Sequence, residues 1–260
     1  KSISSRAADR TFQALSEFRQ PLDNIPGIRV GVAGTRALRA ATNSGIFLQR
    51  CKEDLGLKVR IISGRREAEL AFRAALMSAR TKRIVTLDIG GGSAQISLGN
   101  GHGIEWTCSL PLGAVAVTEK YIRHDPPRPE ELAELRHDLT RLLQRPALNL
   151  HKRLKRSSAG FIGIGGSIST LAALLHRTRN SIHNLRLSRR EVESLTSQLS
   201  RMTTQARARA GIPRGRADII VSGAVVLCEV MSQLHFPALR ICTRGLRHGL
   251  ALELATGRWR

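Results

Sequence analysis

The 260-residue chain is 42% hydrophobic but only 3% aromatic, so Leu, Ile, Val and Ala must fill its core. Its formal net charge of +22, carried by thirty-five Arg and seven Lys, points to a polyanionic partner, although a GC-rich coding sequence also favours Arg over Lys. The composition argues against three classes: the longest apolar run, Ile219–Val226, is far short of the roughly 20 residues of a membrane span, the four scattered Cys form no CxxC pair and read as free thiols in a reducing cytoplasm, and one Tyr with two Trp leaves few stacking platforms for single-stranded nucleic acid.

In chain order, Phe12, Leu15 and Phe18 recur at helical spacing and predict an amphipathic helix over 2–19 that ends before Pro21. Residues 28–34 read as a strand with a glycine-bearing end. A helical stretch follows, broken near Asn43-Ser44-Gly45, then a strand over 57–64, then a helix with Ala68, Leu70, Ala71 and Ala74 near one face. RIVTLDIGGG opens a strand, and AQISLG and HGIEWTCSL follow as antiparallel partners across turns. Leu112–Arg123 reads as a helix. After a proline-rich break at 125–129, Pro129-Glu130-Glu131 starts a helix expected to run to about Leu143, with a basic, irregular stretch beyond. GFIGIGGSISTLAALL is strand, glycine turn and helix. A helix near 188–200, a nearly apolar and therefore buried helix in RADIIVSGAVVLCEVMSQL, a strand in LRICTRG and a helix in LRHGLALEL complete the chain. The mixture predicts an α/β protein with parallel and antiparallel pairing.

Four stretches carry chemistry. In Asp88-Ile89-Gly90-Gly91-Gly92-Ser93, unobstructed backbone amides can approach phosphate oxygens, and a carboxylate at a strand end can hold Mg²⁺ or orient water; a tight hairpin with an acid capping its own turn has the same letters. Gly163-Ile164-Gly165-Gly166-Ser167 sits between a strand and a helix, where free amides and the helix dipole favour anions. It matches neither the Walker pattern nor GxGxxG, and a plain turn with Ser167 as N-cap is the structural alternative. Glu67 falls in the first turn of a helix after a strand, where acids are common for dipole reasons alone. Arg39 can clamp a phosphate bidentately or simply be a solvated helical Arg.

In this order, GTRALRAATN, IISGRREAEL, VTLDIGGGSAQ, SLPLGAVAVTEKYI, GIGGSISTLAAL, RADIIVSGAVVL and RGLRHGLALEL resemble the exopolyphosphatase / guanosine pentaphosphate phosphohydrolase family of the actin-like ATPase superfamily. The resemblance covers nearly all of the chain from about Gly31. It implies two ribonuclease-H-like domains with mixed sheets, set here at 1–80 and 81–260. It also implies Mg²⁺-dependent hydrolysis of the terminal phosphoanhydride of polyphosphate or guanosine pentaphosphate, and often a homodimer. Carried over by motif, Glu67 is the catalytic base and Arg39 contacts phosphate. Asp88 holds the metal and takes part in catalysis, while Gly90, Gly91, Gly92 and Ser93, with Gly165, Gly166 and Ser167, bind phosphate.

Three features depart from the family pattern. The family opens with a strand–turn–strand phosphate loop that residues 1–30 do not contain. The first domain is therefore expected to be incomplete, with an unpaired sheet edge that promotes aggregation or a partner. Gln95 stands where the family usually has Glu, and Gln can hydrogen-bond but cannot act as a base. Arg66, Thr243 and His248 occupy positions where acids are common. These losses also suit a polyphosphate or alarmone binder without turnover. A basic nucleic-acid-binding protein is a third reading, with neither helix-turn-helix nor zinc pattern to support it.

Overall fold

A computed structural model describes residues 2–154, 158–178 and 181–259. The chain divides into two compact units, residues 1–70 with 246–260, and residues 71–245. This division falls ten residues before the 80/81 boundary read from sequence, and the C-terminal segment groups with the first unit.

In the first unit, Ser4 caps helix α1 (Ser5–Arg19) by accepting from the Ala7 amide at 3.3 Å. Phe12 and Leu15 pack on a small cluster of Phe47, Cys51 and Val59. Phe18, expected on the same face, is instead 70% exposed. Strand β1 (Val32–Gly34) leads to helices α2 (Arg36–Ala40) and α3 (Ser44–Leu55), and then to strand β2 (Val59–Ile61), which pairs with β1 in parallel. Both strands are shorter than the sequence suggested. Helix α4 (Gly64–Leu76) follows directly, with Ala68, Leu70, Ala71 and Ala74 buried as predicted.

The second unit is built on a mixed sheet of order β5-β4-β3-β6-β8-β7 among the described residues. Strands β3 (Arg83–Ile89), β4 (Ala94–Asn100) and β5 (Gly103–Leu110) form the antiparallel meander expected from AQISLG and HGIEWTCSL. Helices α5 (Ala114–Tyr121) and α6 (Pro129–Leu154) lead to β6 (Gly160–Ile164), parallel to β3, and then to α7 (Gly166–Leu175). The short edge strand β7 (Arg186–Ser188) precedes α8 (Arg189–Ser200), α9 (Thr204–Arg209), α10 (Arg214–Ala217) and α11 (Ile220–Gln233). Strand β8 (Ala238–Ile241) inserts between β6 and β7, and α12 (Leu246–Ala255) closes the chain. The apolar α11 is buried along most of its length, as its composition demands, and packs against α5, α6, α7 and α8.

Helix α6 corrects the sequence reading. It continues eleven residues past Leu143 with Pro146 inside it. Proline removes one helical hydrogen bond, but Leu135, Leu139, Leu143, Ala147 and Leu150 form one buried stripe that joins the core of the unit. Burying that stripe outweighs the local cost.

Candidate active site

Each unit carries one part of the predicted site. In the first, β2 delivers the chain to the start of α4, where the Ser63 hydroxyl accepts from the Arg66 amide at 3.1 Å and the Ser63 carbonyl from the Glu67 amide at 2.9 Å. Glu67 thus sits in the first helical turn, as predicted. Arg39, from α2, donates through Nη1 to the Ile62 carbonyl at 2.5 Å and holds Nη2 3.8 Å from Glu67 Oε2. Nothing in the chain order links these two residues; the fold makes them neighbours. Burial pushes the Glu67 carboxyl above its usual range, and the Arg39 and Arg36 charges pull it back only in part. A carboxylate whose proton affinity is raised without losing its access to a cation is suited to accept a proton from water.

Arg66, one of the departures from the acid-rich pattern, has a structural role. Its guanidinium pairs with Glu69 on its own helix and with the buried Glu253 of α12. It joins two helices of the first unit rather than turning towards Glu67.

In the second unit, Asp88 lies one residue before the end of β3. It is in register with Gln95 on β4 and with Ile164 on β6. Opposite residues of an antiparallel pair share a face, so the acid's cross-strand neighbour is a neutral amide. The glycine turn is held by its own backbone and by α5. The Gly90 amide donates to the Ser93 carbonyl at 2.9 Å, while the Gly90 and Gly91 carbonyls accept from the Ala114 and Ala116 amides at 2.9 and 3.0 Å. The approach is tight: a Cβ on Gly113 would lie 2.3 Å from Gly91 O and Ser93 N.

The second glycine turn meets the first. Gly165, at φ +105°, caps α7, and a Cβ there would lie 2.6 Å from the Ile89 carbonyl and 3.0 Å from Asp88 Oδ1. Only glycine permits both that conformation and that approach. Asp88, the Gly90–Ser93 turn and the start of α7 therefore form one locus. Ser167 is not the N-cap; Gly165 is. The Ser167 side chain is buried, and a Cβ on Gly223 of α11 would lie 2.7 Å from its hydroxyl. Of Ser167, only the first-turn amide, which has no intrahelical acceptor, is left to offer an anion.

Arg216 was missed by the sequence reading. Its guanidinium packs directly on Gly166, in the space a Cβ would take. It comes from the short helix α10, fifty residues along the chain, and nothing local in PRGRAD marks it. The donor set also fits a hard divalent ion. Among the described residues no group of three or more His, Cys, Asp or Glu gathers into a cage. Asp88 is a single carboxylate beside the two glycine turns, and Mg²⁺ is commonly held by one or two carboxylates, substrate phosphate oxygens and water.

The sequence model of the Ppx/GppA phosphatase family matches residues 1–257. Exopolyphosphatase 2 of Mycobacterium tuberculosis is 30% identical over 265 residues, covering 96% of this chain and 82% of that protein. A guanosine-5'-triphosphate,3'-diphosphate pyrophosphatase of Photobacterium profundum is 28% identical over 97% of this chain, which spans 50% of its length. Among solved structures, an exopolyphosphatase from Cytophaga hutchinsonii superposes with a TM-score of 0.88 at 27% identity, over 98% of this chain and 84% of that one. No helix among the described residues is long and apolar enough to cross a membrane.

Proposed function

Since the chain belongs to the Ppx/GppA phosphatase family and has the actin-like ATPase fold of its structural neighbours, we propose that it hydrolyses the terminal phosphoanhydride bond of inorganic polyphosphate or guanosine pentaphosphate and releases orthophosphate. The observation that carries this reading is Glu67: a partly desolvated carboxylate at a helix start, with raised proton affinity and Arg39 at 3.8 Å. Glu67 takes a proton from the attacking water. The water oxygen bonds to the terminal phosphorus, the bridging P–O bond breaks, and the shortened chain leaves with the electron pair. Arg39 offsets negative charge near the base. In the second unit, the amides at the start of α7, the glycine turn after β3 and the Arg216 guanidinium hold the phosphate oxygens. Asp88 would hold a Mg²⁺ ion, which when bound neutralises phosphate charge as a Lewis acid.

Gln95, opposite Asp88 in place of an acid, favours a second reading, a polyphosphate binder without turnover. Phosphate release from long-chain polyphosphate in Mg²⁺, comparing the parent with Glu67→Gln, separates the two. Hydrolysis with Glu67 as base predicts a fall of at least ~10²-fold in the variant. A folded parent that binds the chain but releases no phosphate leaves the second reading.

A further inference from the structure

A second anion-directed feature lies away from the glycine turns. Strands β6, β8 and β7 and residues 78–81, which connect α4 to β3, line a cavity of about 180 Å³ in the second unit. Gly160, at the start of β6, forms part of it, whereas both glycine turns follow the ends of β3 and β6. From Gly160 to Gly165 is five residues of strand, about 16 Å at ~3.3 Å per residue. The Thr81 side chain rests on Gly160, where a Cβ would lie 2.6 Å from its hydroxyl. Arg80, Arg186 and Arg240 line the cavity, and no Asp or Glu does. None of the three makes an ion pair among the described residues, whereas Arg83 and Arg189 pair with Glu105 and Glu193. Glu191, whose charge Arg186 feels, is engaged by the Ser188 amide at 2.7 Å and hydroxyl at 2.6 Å.

The strand register is an independent sign. Arg186 and Arg240 are direct partners in the antiparallel β7–β8 pair, so both side chains leave the same face of the sheet. Like charges directly opposite each other destabilise a sheet, and an anion between them turns repulsion into attraction. The Ser78 and Thr81 side chains and Asn184 add neutral polar groups. Phe161, the one aromatic residue of the lining, stacks on Phe236 with ring centroids 4.4 Å apart, so no ring is offered to a base. The chemistry that remains is that of a compact inorganic oxyanion with several oxygens for guanidinium forks. We infer that the cavity is a second orthophosphate site, separate from the glycine turns, in which Arg186 and Arg240 hold the anion from the sheet and Arg80 from the connector. That connector leaves the helix whose first turn holds Glu67 and enters the strand that carries Asp88, so a bound phosphate ties it to the β7–β8 edge. The inference rests on the hydrolase reading only for the source of the anion, which is that reaction's released product; binding itself needs no turnover.

The test uses the full chain and inorganic phosphate as the probe. Equilibrium dialysis with radiolabelled orthophosphate measures binding, and melting in phosphate against chloride at equal ionic strength measures its effect on stability. Both are run on the parent, on Arg186→Ala and on the charge-keeping Arg186→Lys, each also in a Gly165→Ala background that weakens the other locus. Arg186→Ala, an exposed position, is expected to weaken the cavity's phosphate binding at least ~5-fold in both backgrounds and to shrink the rise in melting temperature that phosphate gives the parent. Arg186→Lys is expected to keep most of both. In chloride alone Arg186→Ala is expected to melt at the parent's temperature or above it, because a like-charged neighbour has gone; an arginine with a purely structural role would lower it. Phosphate binding unchanged in folded Arg186→Ala would overturn the inference. So would binding that vanishes with Gly165→Ala alone, or an Arg186-dependent site that takes tripolyphosphate but not orthophosphate. A parent that releases no phosphate from polyphosphate yet keeps Arg186-dependent phosphate binding would sink the hydrolase reading and leave this site standing; a hydrolysing parent whose phosphate binding ignores Arg186 would do the opposite.

Discussion

The two candidate loci, one in each unit, are made in different ways. In the first unit, the proposed function rests on side chains: Glu67 of α4 and Arg39 of the short α2, beside a two-stranded parallel pair, would act through charge. In the second, it rests on the backbone: at Gly113 and Gly165 main chains approach where any Cβ would intrude, beside a sheet of six strands among the described residues. The difference teaches where each part is vulnerable. The first should fail chemically, keeping its shape when an atom is exchanged. The second should fail sterically, even when the new side chain is inert.

The sharpest check is Glu67→Gln, expected to cost at least ~10²-fold in kcat while the fold melts at the same or a higher temperature. The sign follows from burial. Because the folded protein holds Glu67's proton more tightly than the unfolded chain does, the ionised form is disfavoured at neutral pH, and removing it costs no stability there. A large loss of melting temperature would break the contrast. Gly165→Ala should do the reverse. With φ at +105° and a Cβ 2.6 Å from the Ile89 carbonyl, strain of about 1–3 kcal/mol is expected, read as weaker polyphosphate binding and a lower melting temperature together.

Arg39→Ala should act through the base. With Glu67 as the proposed base, activity should rise with pH through its pKa. Removing a cation that lowers that pKa should move the acid limb of kcat/KM to higher pH. An unmoved limb would deny Arg39 its electrostatic part. The smallest effect is expected away from the site, at Glu131. Burial alone would raise its carboxyl, but hydrogen bonds from His124 and from the Arg128 and Arg123 amides hold it down to about 2. Its contribution to stability is therefore complete above the ordinary glutamate range and lost as pH falls towards 2. Glu131→Gln should flatten the acid-unfolding profile in that window and leave neutral-pH catalysis untouched.

Much of the backbone-built part could be read directly. Glycines after an apolar strand and before an apolar run leave few alternatives, and both turns stand where the letters put them. Glu67 was equally legible as a helix-start acid, but its pairing with Arg39 depends on β1 and β2 lying in parallel, which no local pattern encodes. Helix α6 beyond Leu143 was hidden because Pro146 is a strong local signal against it, and only the buried stripe through Leu150 overrides that signal. Ser167 looked like a cap because it follows two glycines; the position of Gly165 against Ile89 moved the cap back two residues. Helix α9 had a usable signal in Thr203, whose hydroxyl accepts from the Ala206 amide. Arg216 had none, because its importance lies in what it packs on.

The hydrogen bonds from Ala114 and Ala116 to the glycine turn have a thermodynamic consequence. A loop rich in glycine would ordinarily surrender much conformational entropy when it closes on an anion. Here α5 has already fixed the turn during folding, so the turn would meet a phosphate in nearly final form. Calorimetry should therefore show phosphate binding at this locus with little entropic penalty from the chain, and the Ala114 and Ala116 amides should exchange slowly with solvent whether or not a ligand is bound.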